Sequence, residues 1–119
     1  MTDDDTTIAE LRSAVQRFVD ERDWGQFHNP KDLSVSLCIE AAELLELFQW
    51  LRPEEVAAAS REPEARARMA SELADVLIYG LSLANALDLD VATAVVEKLA
   101  VSARKYPADR YQGRFRLDE

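Results

Sequence analysis

The chain has 119 residues, 48% of them apolar and 31% charged. This is one domain's worth of sequence with a globular composition, which excludes a disordered chain. The net charge of −9 repels phosphate backbones and argues against duplex nucleic acid as a partner.

Residues 1–6 read as a disordered acidic N-terminal tail. From Thr7 to Arg22, Ile8, Leu11, Val15, Phe18 and Val19 recur at helical spacing with charges between them, which predicts an amphipathic helix with one buried stripe. Asp23 to Asp32 reads as a loop, with Gly25 and the Asn29-Pro30 pair as breakers. The second helix is predicted from Leu33 to Leu51, stopping before Pro53. Leu33, Val35, Leu37, Ile39, Leu44, Leu45, Leu47 and Phe48 make it apolar nearly all round. A helix without a wet face belongs inside a bundle or at an interface. Residues 53–63 read as a turn-rich link with room for one short helical turn after Pro53. A third helix is predicted from Glu64 to Leu87, charged at first and apolar from Met69 onward. Asp88 or Asp90 can cap a fourth, from Val91 to Lys105, which Pro107 ends. Residues 108–119 form a C-terminal tail.

The expected fold is therefore all-α, a four-helix bundle over residues 7–107. Two of its helices are too apolar for a lone four-helix monomer, so a homodimer at least is expected. The single cysteine, Cys38, excludes an intramolecular disulfide and reads as an inert core thiol in a reducing compartment. The acidic N-terminus is the opposite of a signal peptide, and no apolar run reaches membrane-spanning length. These features predict a cytoplasmic protein without a membrane partner.

Glu40 and Glu43 stand three apart on the second helix and point to nearly the same side. Glu72 and Asp75 repeat that spacing on the third, and Tyr79 continues their stripe one turn on. No Lys or Arg occurs between Lys31 and Arg52, or between Arg68 and Lys98. If the two helices pack antiparallel, the pairs meet. Four clustered carboxylates then repel each other, so either some take up protons or a divalent cation sits among them. Oxygen donors without His or Cys favour Mg²⁺, with Mn²⁺ as a substitute, over Zn²⁺. The alternative is a solvated acidic face. Lys98, Arg104 and Lys105 end the fourth helix, either as charges that suit the helix dipole or as a phosphate-binding group. Trp24, Phe27, His28 and Trp50 are either packing residues or platforms for a base.

Glu40-x-x-Glu43 followed by Glu72-x-x-Asp75 resembles the metal-binding signature of the MazG-like all-α nucleotide pyrophosphohydrolases. The stretches from Arg22 to His28, Glu43 to Trp50 and Glu72 to Tyr79 look closer still to the dCTP pyrophosphatase branch. The likeness runs from about residue 8 to 107. It implies hydrolysis of a (deoxy)nucleoside triphosphate to its monophosphate and pyrophosphate, with Mg²⁺ on Glu40, Glu43, Glu72 and Asp75. It also implies a base pocket of Trp24, His28 and Trp50, with Tyr79 beside the sugar. Phosphate charge would fall to Lys98 and Lys105, assisted by Tyr106. Members are dimers or tetramers in which neighbouring subunits complete the pocket, and they sanitise the nucleotide pool. Two positions depart from the pattern. Ile39 stands where the broader signature has an acid, a position at which the dCTP branch also lacks one, and Ser102 stands where an Asn is usual. Two alternatives remain: the same chemistry on another nucleotide, such as dUTP or an oxidised one, and a helical dimer that only binds a partner.

Overall fold

Every regular element in the computed structural model, which describes residues 1–115, is helical. Helix α1 spans Ile8–Glu21 and opens on Thr7, whose side chain accepts from the Glu10 N–H while Glu10 reaches back to the Thr7 N–H. This reciprocal cap satisfies two donors that the first turn leaves open. Asp23 follows in the left-handed region, at φ 52°, and leads into a 3₁₀ turn at Trp24–Phe27. Helix α2 covers Pro30–Glu46 and α3 covers Pro53–Arg61. Helix α4, Pro63–Leu87, is the longest at 25 residues. It begins on Glu62, whose carboxylate accepts from the backbone N–H groups of Glu64 and Ala65, and ends at Asp88 with φ 53°. Helix α5, Val91–Lys105, is capped by Asp90, which accepts from the Thr93 N–H at 3.0 Å. A single turn, α6, covers Ala108–Tyr111.

The chain forms two compact units, Met1–Asp88 and the segment from Leu89 onward. In the first, α4 is the hub against which α1, α2 and α3 all pack. Val19 of α1, Leu33 of α2 and Ser82 and Ala84 of α4 are buried there. Arg12 of α1 and Asn85 of α4 are joined twice. The Arg12 guanidinium donates to Asn85 Oδ1 at 2.9 Å, and the Asn85 amide donates to the Arg12 carbonyl at 3.1 Å. In the second unit, Tyr106 meets Tyr111 edge to face at 5.1 Å. No single helix among the described residues is long and apolar enough to cross a membrane.

The all-helical class agrees with the sequence reading, and α5 has the predicted bounds. Other boundaries differ. Asn29-Pro30 starts α2 instead of interrupting a loop, because Asn29 Oδ1 accepts from the Asp32 N–H at 2.9 Å and Pro30 fills the first helical position. The same helix ends at Glu46, not Leu51, as its last bonds tighten to three-residue spacing, Phe48 N–H to the Leu45 carbonyl among them. The supposed link at 53–63 holds the nine-residue α3, and residues 108–111 of the tail are helical; residues 116–119 lie outside the described part. Cys38 is exposed, not a core thiol. So are Ile39, Leu45 and Leu77, each more than half accessible. An apolar α2 with only Leu33 buried leaves much greasy surface uncovered in one copy of the chain.

Candidate functional site

Packing of α2 on α4 brings Glu40, Glu43 and Glu72 together, one carboxylate oxygen from each lying within 4.8 Å of the others. Glu40 and Glu72 are half-buried, and Glu43 is exposed. Glu40 Oε2 and Glu72 Oε2 are sealed from solvent without a hydrogen-bond partner. No ion pair among the described residues reaches the cluster. The neighbouring Glu43 carboxyl raises the pKa of Glu40, helped by burial and by the charges of Glu43, Asp75 and Glu72. Burial raises that of Glu72, with the Glu43 and Asp75 charges next and Glu46 contributing. Charges that repel, two orphaned oxygens and an all-oxygen donor set fit a hard cation, which would satisfy both lone oxygens and reverse the local field. These acids can hold a metal ion.

Beside the acids lies a cleft of about 650 Å³ between α1 and α4. Its volume suits a small ligand. Leu11, Val15 and Phe18 form the α1 wall, and Asp75, Tyr79 and Ser82 run along the α4 wall. Trp24 and His28 add an aromatic flank. Trp24 stands edge-on to Phe18 at 5.6 Å, and its ring centroid is 6.4 Å from that of His28. The Arg22 guanidinium stacks over Phe18 at 3.8 Å, which fixes that ring from outside. His28 Nδ1 is buried without a partner. Asp75 links the two features, since it lines the cleft and its charge acts on both Glu40 and Glu72.

Of the residues singled out in the sequence, Glu40, Glu43 and Glu72 meet, and Asp75, Tyr79, Trp24 and His28 share the cleft. Trp50 does not line it: this side chain is 86% exposed in the turn after α2. Lys98, Ser102 and Lys105 occupy one face of α5 in the second unit, where Lys105 Nζ sits 5.3 Å over the Tyr106 ring. The α1 wall and Glu46 escaped the sequence reading. Glu46 carries a legible signal, being three residues beyond Glu43 on the same base-free stretch.

A family model described as the MazG-like family matches residues 35–114, which include all four acids and the α5 cations. The crystal structure of a pyrophosphatase from Archaeoglobus fulgidus is 41% identical, with a TM-score of 0.75 over 84% of this chain and 92% of that one. The chain belongs to the MazG-like family. This MazG-like chain is also similar to dCTP pyrophosphatase 1 from Homo sapiens, at 41% identity over 86% of its length, and from Rattus norvegicus, at 38% over 90%. It spans only 60% and 63% of the length of those two relatives.

Proposed function

We propose that this protein is a metal-dependent nucleotide pyrophosphohydrolase that converts dCTP, or a modified dCTP, to dCMP and pyrophosphate. The observation that carries the proposal is the position of three mutually repelling carboxylates, two with orphaned oxygens, beside an aromatic-flanked cleft that shares Asp75. The name of the relatives, dCTP pyrophosphatase 1, supports this choice of base and bond. Glu40, Glu43, Glu72 and Asp75 would hold Mg²⁺, with Mn²⁺ as a substitute. When bound, the ion neutralises phosphate charge and lowers the pKa of the attacking water. The protein supplies placement. Trp24 and His28 hold the base, Tyr79 packs beside the sugar, and the apolar α1 wall keeps water off the nucleoside, so the α-phosphate lies nearest the acids. Lys98 and Lys105, with Ser102 and Tyr106, are proposed on charge and donor chemistry to bind the remaining phosphates.

Self-association belongs to the same proposal. Trp50 is too exposed to act within its own cleft, and the bare apolar residues of α2 need a cover, so a second copy of the chain, as a homodimer or a dimer of dimers, supports both. The reading is tested by pyrophosphate release from each of the four dNTPs, with Mg²⁺ and with EDTA. Metal-dependent release strongest with dCTP is the expected result. Release from another nucleotide alone, such as dUTP, overturns the base assignment, and release from none overturns the enzyme.

A further inference from the structure

Ser82 is 7% exposed and lines the cleft. A serine inside a helix commonly gives its hydroxyl to the carbonyl a turn or less back, as Ser60 and Ser34 do at 2.7 Å. Ser82 makes no such bond and has no other hydrogen-bond partner among the described residues. A buried hydroxyl carries one donor and two acceptor sites, and leaving them all unmade is unfavourable. Its surroundings are apolar: Leu81 and Ile78 on its own helix, Leu11 and Val15 across the cleft. Among the described residues nothing binds this hydroxyl, and its oxygen is not sealed off as Glu40 Oε2 and Glu72 Oε2 are, so it is left to whatever fills the cleft.

Position along α4 says what could. Asp75, Tyr79 and Ser82 follow one another at four- and three-residue spacing, so they share a face and all three line the cleft. At the α-helical rise they stand at roughly 0, 6 and 10 Å along the axis. With phosphate at the Asp75 end and sugar at Tyr79, the base reaches Ser82 with its edge remote from the sugar. The Arg12–Asn85 pair lies one turn further on and ties the two cleft walls together there.

We propose that Ser82 is a specificity-determining residue whose hydroxyl hydrogen-bonds the polar group on the sugar-remote edge of a pyrimidine, position 4 of the ring. The hydroxyl serves an amino group or a carbonyl equally, so it requires a polar edge without choosing between the two. This rests on the proposed nucleotide hydrolysis. A site built around such a bond discriminates against an analogue that lacks the group.

The test compares dCTP with the 2-pyrimidinone deoxynucleoside triphosphate, which lacks the 4-amino group, in the wild type and in Ser82→Ala. Alanine is the best helix former, so α4 should persist, and the melting temperature checks this. The wild type is expected to favour dCTP about tenfold in kcat/KM, mainly through KM. In Ser82→Ala that preference should collapse to within about twofold, through loss on dCTP alone. An equal loss on both nucleotides, or an unchanged preference, overturns the assignment of Ser82 while leaving the hydrolase intact. A wild type that turns over neither nucleotide overturns the functional reading and this inference together.

Discussion

Replacing Asn85 with Ala should loosen the cleft at its inner end. The substitution removes a charge-assisted bond from the Arg12 guanidinium at 2.9 Å and an amide bond to the Arg12 carbonyl at 3.1 Å. Both are half-buried and link helices 73 positions apart in the chain, so nothing local replaces them. A charge-assisted bond contributes about 1.5–3 kcal/mol and a neutral one about 0.5–1.5 kcal/mol. Arg12 keeps its weaker donation to the Ala84 carbonyl at 3.4 Å, and water reaches a half-buried pair, so the lower part of the sum, about 2–3 kcal/mol, applies. In a chain of this size that is a fall in Tm of about 6–15 °C. Melting should be followed at fixed protomer concentration, because any self-association makes Tm depend on it. Arg12→Ala and the double variant complete a cycle in which the two changes should be strongly non-additive. A fall under about 2 °C, or additive effects, would show that the pair does not hold α1 to α4.

Three further outcomes follow from the same geometry. Glu43→Gln and Asp75→Asn should each lower turnover by at least a hundredfold without lowering the metal-free Tm, because each removes a repelling charge; an active Asp75→Asn would remove Asp75 from the proposed site. The pKa values of Glu40 and Glu72 are raised, so between the ordinary glutamate value and the raised one the native state holds protons that the unfolded chain has released. Metal-free stability should therefore fall relative to Glu40→Gln as pH rises through that window, while stabilisation by Mg²⁺ grows; a wild type that gains on the variant over that window would contradict the shift. Trp50→Ala should raise KM far more than it lowers kcat and should weaken self-association in sedimentation; a variant unchanged in both would leave Trp50 without a role.

The meeting of the acids was legible in the sequence because two carboxylate pairs at helical spacing fall in windows without Lys or Arg, but only the packing of α2 on α4 separates them from a solvated acidic face. Helix α5 was legible because Asp90 and Pro107 mark its ends. Helix α3 was not, since Ala57-Ala58-Ala59 has strong helix propensity but no apolar period to betray it. Asn29-Pro30 misled for a related reason: the same two residues that break one element can cap and open the next. The cleft was hidden most thoroughly. Leu11, Val15 and Phe18 recur at the spacing of a buried stripe, and periodicity does not tell a wall that meets a neighbour from one that faces a ligand. Ser82 gives no signal at all until its burial and its lack of a partner are seen.

The most direct test of the account is where the oxygen of water goes. Hydrolysis of dCTP in ¹⁸O-labelled water with Mg²⁺, read by ³¹P NMR, should place the label in dCMP and none in pyrophosphate, because the proposed function sets the α-phosphate nearest to Glu40, Glu43, Glu72 and Asp75. Label in pyrophosphate, or release of orthophosphate and dCDP, would contradict that placement and with it the proposed role of the acidic cluster.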